Sequence, residues 1–428
     1  MTYRYGDTSL PRVVIIGGGF AGLELVKKLN NKPYRVTLLD KNNFHTFQPL
    51  LYQIASAGLT AESIAYPFRR KIGKYPNIIF RLATVDQIDT LAQIVHTDVG
   101  EFEYDHLIIA SGAVTNFYGN AAIEKVSLTL KSVQEALDMR SAILHKFERA
   151  IISETTAEQK QRMNFIIVGG GPTGVELAGA LAEIRKNVLP HDYRELKGEN
   201  MEIHLIEGSN RLLAAMSEKS SRLAKKYLEQ DGVHVWLNAF VQNFDGDELV
   251  LSNGEKIKTD NVIWAAGVKG ATIPGIGNDS IVKGGKYQTD AYQRVKNYEN
   301  IYAVGDIAFM TEDKNYPNGH PGVAQVAMQQ AVNLANNLIR LHKKEKLKPF
   351  KYRNKGNMAT IGRHKAVVDL PFYSFGGYLA WYIWMFIHLM ALVGFRNRLM
   401  VFMNWMWNYF SYDRALRLIV EPDEKTTT

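Results

Sequence analysis

One short pattern occurs twice in the chain. Residues 13–22, VVIIGGGFAG, return in altered form at 165–174 as FIIVGGGPTG. Each copy is a β-branched apolar run suited to a buried parallel strand, followed by Gly-x-Gly-x-x-Gly and then by helix-compatible sequence. That order is physically restrictive. The strand must turn sharply, the backbone must approach a pyrophosphate, and the next helix must pack tightly on the sheet; each glycine removes a side chain that would obstruct one of these. The helix start then offers free N–H groups and a favourable dipole to negative charge. Two dinucleotide sites are predicted, one on Gly17, Gly19 and Gly22 and one on Gly169, Gly171 and Gly174.

A single glycine-rich turn carries little weight, but each copy here has the right sequel. After the first comes YRVTLLD, a strand ending in Asp40, close to the spacing of about 20 residues at which a carboxylate reaches a ribose. The second matching strand, MEIHLIE, ends in Glu207 at a longer spacing, so residues 185–200 read as an insertion after the helix. A carboxylate there accepts from a ribose diol and repels a 2′-phosphate, which favours NADH over NADPH. The plainer reading is a solvated carboxylate at a strand end.

Composition narrows the chemistry. With 428 residues the chain fits about two or three domains. Its formal charge of +8 calls for an anionic partner: nucleic acid, a phosphorylated ligand or an acidic membrane surface. There is no cysteine, which removes disulfides, thiolate metal sites, iron–sulfur clusters and thiol redox chemistry from these residues. No metal site or calcium loop is read. The amino terminus lacks a basic segment followed by a long apolar one, so the bulk of the chain reads as cytoplasmic.

Two dinucleotide sites imply a flavin that stays bound and a nicotinamide that comes and goes. At this point the chain resembles the two-dinucleotide-binding flavoprotein reductases, and more narrowly the type II NADH:quinone oxidoreductases, single-subunit, non-pumping respiratory NADH dehydrogenases. HLIIASGA (106–113) and NVIWAAGV (261–268) resemble the segments that close each nucleotide half, with Ser111 replacing a commoner threonine. ENIYAVGD (299–306) resembles the second flavin fingerprint, whose aspartate is Asp306.

The resemblance implies two Rossmann-like α/β domains, the FAD domain discontinuous and the NADH domain inserted into it, followed by amphipathic carboxyl-terminal helices. The expected boundaries are 1–122 and 285–370 for FAD, 123–284 for NADH and 371–428 for the membrane-anchoring helices. It further implies FAD contacts at Phe20, Ala21, Lys41, Gln48, Leu51, Val85, Ala110, Ser111, Gly112 and Ala324, and nicotinamide-dinucleotide contacts at Thr173, Ala266 and Gly267.

The electron acceptor defines such an enzyme, and relatives that use a redox cysteine are excluded. Gln325 and Gln329 are four apart, so on a helix they share one face. In the resemblance that face meets a membrane quinone and the flavin edge. NFHTFQPLLYQIASAG (43–58) resembles the loop that wraps the flavin ring, and Lys365 the cation placed where negative charge develops. Glu176 has two readings: a group that orients NADH or delivers a proton to the quinone, and a carboxylate stabilising a helix start.

The carboxyl end differs from the rest. Four of the six tryptophans, Trp381, Trp384, Trp405 and Trp407, lie there, and Trp381 to Phe395 contains no formally charged side chain. Extended back to Tyr378 this run is about 18 residues, the lower limit for spanning a bilayer. Asn397, Asn404, Asn408 and Ser411 then form one polar stripe on an otherwise apolar helix. We read two helices lying in the membrane interface, with Arg396, Arg398, Arg414, Arg417 and the basic run at 340–355 meeting anionic headgroups. No nucleic-acid recognition fold accompanies the basic run.

The expected protein is a peripheral membrane enzyme on the cytoplasmic face, homodimeric, that oxidises NADH through FAD and reduces a membrane quinone without pumping protons. The alternatives are an NADH-dependent reductase of a soluble acceptor and a redox-responsive flavin-binding scaffold.

Overall fold

The computed structural model describes residues 3–196, 200–411 and 417–419; Arg414 lies outside them. In chain order the strands of the two principal sheets are β1 (Arg12–Ile16), β2 (Arg35–Asp40), β3 (Ile78–Leu82), β4 (His106–Ile109), β5 (Asn164–Val168), β6 (Glu202–Glu207), β7 (His234–Leu237), β8 (Val262–Trp264) and β9 (Ile301–Ala303). A later antiparallel sheet consists of β10 (Asn357–Thr360), β11 (Ala366–Leu370) and β12 (Tyr373–Gly376). The helices used below are α1 (Phe20–Leu29), α2 (Leu51–Ala55), α3 (Val133–Ile151), α4 (Pro172–Asn187), α5 (Glu218–Gln230), α6 (Ala324–His342), α7 (Tyr378–Ala391) and α8 (Phe395–Ser411).

The chain divides into two units. The first comprises residues 1–46, 66–114 and 268–354, the second 47–65, 115–267 and 355–428. The first unit is discontinuous, and its bounds depart from the expected ones at 47–65, 115–122, 268–284 and 355–370. The segments 47–65 and 355–411 pack with the nicotinamide half. The reason is local: α2 lies on α3 and α4, while β10–β12 lie on α4 and α5.

The first unit is built on a parallel sheet in the order β9-β4-β1-β2-β3. The strands are buried on both faces, which is why they read as continuous apolar runs. On one face α1 and α6 pack together over Val13, Ile15, Val36 and Leu38, with Leu25, Ala331 and Leu334 between them. The Tyr34 hydroxyl donates to the Leu338 carbonyl at 2.5 Å and pins the end of α6 to the sheet.

The second unit repeats the plan with the order β7-β6-β5-β8, all parallel. In both sheets the strand leading into the glycine loop lies beside the point where strand order reverses, and ligands of open α/β sheets bind outside the carboxyl ends there.

Candidate dinucleotide and acceptor sites

The two glycine loops obey the same rules in detail. Gly17 has φ +99° and Gly169 φ +115°, conformations that L side chains rarely adopt. A Cβ on Gly22 would strike the Gly17 carbonyl, and one on Gly174 the Gly169 carbonyl, so each helix can sit against its loop only as glycine. Gly19 and Gly171 are the helix N-caps of α1 and α4, and neither helix has a capping side chain or an acidic residue in its first turn. By contrast α3 and α5 are capped by Ser132 and Ser217. The first-turn N–H groups of α1 and α4 are thus left for a ligand, and a Cβ on Gly19 or Gly171 would project into open space. These cradles fit dinucleotide pyrophosphates.

The strand-end carboxylates close both loops in the same way. Asp40 accepts from Gly18 N at 2.6 Å and from Asn42 N at 2.7 Å; Glu207 accepts from Gly170 N at 2.6 Å and from Ser209 N at 2.7 Å. Burial raises the Asp40 pKa against these bonds. Lys41 beside it is exposed.

Other residues of the first unit gather at the same sheet ends. Phe20 and Ala21 open α1, and Ala110 follows β4 against the Gly17 backbone. Ser111 donates through Oγ to the Ala271 carbonyl at 2.7 Å, and Gly112 accepts from Ala271 N. Val85 starts a strand of a separate antiparallel sheet (Val85–Asp89), partly packed on the core. Asp306 sits in the turn Gly305–Ile307, just before α6 opens at Ala324. Two residues that the sequence reading does not single out support this half. His45 is buried, with Nδ1 3.0 Å from the Gly18 carbonyl and its ring edge-on to Phe20. Gln330 is buried and accepts from Gly305 N at 2.7 Å, bracing the turn that presents Asp306.

Gln325 lies in the first turn of α6. Gln329 does not project freely beside it: its amide donates to the Arg353 carbonyl and accepts from Arg353 N, both at 3.0 Å. Asn333 and Asn337 bind Lys348 similarly. The segment at 348–353 runs outside any sheet, so its backbone groups take partners from the polar face of α6.

In the second unit Thr173 lies in the first turn of α4, and Ala266 and Gly267 follow β8. The Tyr118 hydroxyl donates to the Ala266 carbonyl at 2.8 Å, and a Cβ on Gly267 would strike that hydroxyl. Of the 43–58 loop, Leu50 and Leu51 are buried here and Gln48 is exposed. The Lys365 ammonium pairs with Asp231 at 2.5 Å, just past the end of α5, and lies over the Tyr227 ring.

Glu176 lies beyond the first turn of α4 and is buried, which removes the helix-start reading. Burial pushes its pKa up to about 8, while N–H groups from Thr360 and Trp384 act in the opposite direction. It lines a cleft of about 850 Å³, counting its open mouth, together with Gln53, Arg363, Trp381, Trp384 and Trp405. The lining combines aromatic walls with a few convergent polar groups, the make-up of a small-molecule site.

The helices α7 and α8 wall this cleft, and Asn397 and Asn408 of the polar stripe bond to the protein while Ser411 is exposed. Asn397 donates to the Ala65 carbonyl at 2.8 Å, Trp405 to Gln53 Oε1 at 2.8 Å and Asn408 to the Gly58 carbonyl at 3.2 Å. The outward face is apolar: Phe386 is 64% exposed, Phe395 80% and Phe410 72%. Among the described residues no helix is long and apolar enough to cross a membrane, and no cluster could hold a metal ion. Arg417 pairs with Asp192 at 2.6 Å, so that cation is engaged within the protein.

Comparison with known proteins decides the family. Residues 11–331 match the family model of pyridine nucleotide-disulphide oxidoreductases, and residues 354–411 the NDH2 C-terminal domain. The chain is 35% identical to the type II NADH:quinone oxidoreductase NdhA of Mycobacterium tuberculosis over 95% of its own length and 89% of that protein. It belongs to the type II NADH:quinone oxidoreductases. An internal alternative NAD(P)H-ubiquinone oxidoreductase of Solanum tuberosum is 29% identical, covering 92% of this chain and 86% of the relative. The fold matches that of Plasmodium falciparum NDH2 solved with NADH, at a TM-score of 0.87 and 22% identity over 96% of this chain and 100% of that one. The C-terminal family model starts where the chain rejoins the second unit, so β10–β12, α7 and α8 form the part particular to this family.

Proposed function

We propose that the protein oxidises NADH and reduces a membrane quinone, with non-covalently held FAD between them. The observation that carries this reading is the coexistence of two uncapped glycine cradles with a family-specific C-terminal element whose outer face is apolar. FAD when bound supplies the two-electron chemistry, taking hydride from NADH and passing electrons to the acceptor. The chain's own residues bind and orient. Asp40 and Asp306 would hold the ribose and ribityl hydroxyls of FAD, and Glu207 the ribose of NADH. Glu176, protonated at neutral pH, would hold a proton in the cleft wall beside the acceptor. Gln325 and Gln329 would face the quinone ring from α6, with the Gln329 amide also bonded to Arg353.

We further read the protein as peripheral on the cytoplasmic face, with α7 and α8 in contact with lipid and Arg396 and Arg398 at the headgroups. A homodimer is part of the reading and is tested by sedimentation in detergent. The test of function is an anaerobic visible spectrum titrated with NADH and then with a short-chain quinone. Bleaching by NADH and prompt recovery with quinone support it; bleaching without recovery removes the acceptor assignment and favours a redox-responsive scaffold. Activity that needs neither lipid nor detergent and prefers a soluble acceptor favours the soluble reductase.

A further inference from the structure

Glu176 and Trp384 come from distant parts of the chain and meet in the wall of the same cleft. The Trp384 side chain is 2% exposed, and its Nε1 is sealed from solvent without completing a hydrogen bond. A buried N–H in that condition needs an acceptor within reach. Glu176 is the buried carboxylic acid that shares this stretch of cleft wall with the indole, and its Oε1 lies 3.4 Å from Thr360 N. The ring is fixed independently of the acid. It stacks on His388 with centroids 4.1 Å apart and leans on Trp405 at 5.8 Å, and Trp405 is itself bonded to Gln53. The direction of the N–H is therefore set by how α7 seats on α8.

We propose that Trp384 is a positioning residue for Glu176: its indole N–H, carried on a helix with an exposed apolar face, holds the carboxyl in the cleft, so that the seating of α7 and α8 governs how the acid meets a bound acceptor. This rests on the cleft being the acceptor site. The other charged or titratable groups facing the acid are Glu183 on α4 itself, Arg363 from the β10–β11 turn, Tyr52 from α2 and Tyr409 from α8, with His388 of α7 behind the indole. No residue of α5, β5 or β6 lines the cleft. Arg363 lies 4.5 Å over the Tyr409 ring and donates to the Tyr409 carbonyl. Burial pushes the His388 pKa down to about 4, so it is neutral where Glu176 titrates. The indole is the group that both reaches the acid and travels with α7.

The experiment is infrared titration of the protonated-carboxyl band in the full-length, FAD-loaded protein in bilayers over about pH 5 to 10, the band being assigned by its loss in Glu176→Gln. Trp384→Phe keeps an aromatic ring and deletes the N–H together with part of the indole. Its midpoint should rise by about one pH unit, and its carbonyl stretch should move to higher frequency as the bond is lost. Trp405→Phe loosens the same packing and removes the N–H that serves Gln53 but keeps the Trp384 N–H, so its midpoint should rise by less than that of Trp384→Phe. An unmoved midpoint in Trp384→Phe, or an equal shift in both variants, overturns the proposal. A second reading needs no change at Trp384: one of the six indole ¹⁵N–¹H resonances should titrate with the Glu176 midpoint in the wild type and none should in Glu176→Gln. If none tracks the acid in the wild type, the proposal is equally overturned. Quinone turnover is measured on the same samples. A midpoint that moves without the turnover profile following leaves the Trp384–Glu176 assignment standing and defeats the acceptor-site reading.

Discussion

Replacing Glu176 by glutamine should make the protein more stable, and increasingly so as pH rises. The folded pKa is raised from 4.5 to about 8 by burial. The acid is protonated in both states below the unfolded value, so it costs nothing there. Between the two values the unfolded chain ionises and the folded one cannot, and stability falls by about 1.36 kcal/mol for each pH unit. At pH 7 the accumulated cost is about 3 kcal/mol, and it levels off near 5 kcal/mol above the folded value. Glutamine has the shape of the protonated acid and carries no such cost. For a folded unit of this size, 3 kcal/mol corresponds to roughly 6–12 °C in melting temperature. The assay is thermal unfolding of both proteins at a series of pH values, with flavin loading held constant. A stabilisation that is small at pH 5 and grows toward pH 8 is expected. A difference independent of pH, or a glutamine variant less stable at pH 8, would refute the premise that this carboxyl is kept neutral by burial. Turnover should move the other way, because the amide cannot carry the proton; stability and activity then trade against each other at one residue.

Gly174→Ala should abolish flavin bleaching by NADH at concentrations that saturate the wild type, a loss of about 100-fold or more in affinity, because the added Cβ meets the Gly169 carbonyl; the bound-flavin spectrum should persist. His45→Ala should weaken FAD retention about fivefold, read as flavin fluorescence released on dilution, because it removes the ring beside Gly18. In the wild type the His45 pKa is depressed from 6.5 to about 4 by burial, so its contribution is present above 6.5 and is lost as pH falls toward 4; flavin release should rise across that window. Phe386→Asp and Phe410→Asp should each lower binding to anionic vesicles by about 10- to 100-fold in a co-sedimentation assay, without changing NADH-driven bleaching in detergent.

The parts of the site that were legible in the sequence are those whose geometry is local. The turn at Gly17, the tight packing at Gly22 and the strand-end positions of Asp40 and Glu207 all follow from a few adjacent residues, and their repetition identified the sheet plan. What was not legible depends on contacts between distant segments. Gln325 and Gln329 do share a helix face, but spacing cannot show that the 348–353 segment lies along it and takes the Gln329 amide. Gln330, one residue further, is the glutamine that braces the Gly305 turn, and nothing in its neighbours announces that. Lys365 resembles a cation placed for a flavin, yet its partner Asp231 arrives from the end of a helix more than a hundred residues earlier. Periodicity likewise gave α8 a polar stripe without giving the direction in which it faces.

That direction bears on the proposed mechanism. An amphipathic helix on a water-soluble surface turns its polar face outward; α8 does the reverse and uses Asn397, Trp405 and Asn408 to satisfy the carbonyls at 65 and 58 and the amide of Gln53. Each such bond contributes only about 1 kcal/mol, but each also carries a direction, which apolar contact does not. The position of the two helices on the protein is therefore specified by polar bonds, leaving Phe386, Phe395 and Phe410 free to provide affinity for an apolar environment. The same inward bonds hold Trp405 against Trp384, and Trp384 lines the same cleft as Glu176. Under the proposed function, the lipid-facing helices and the cleft acid then share one structural element, because Trp384 is carried on α7 and lines the same cleft as Glu176 of α4.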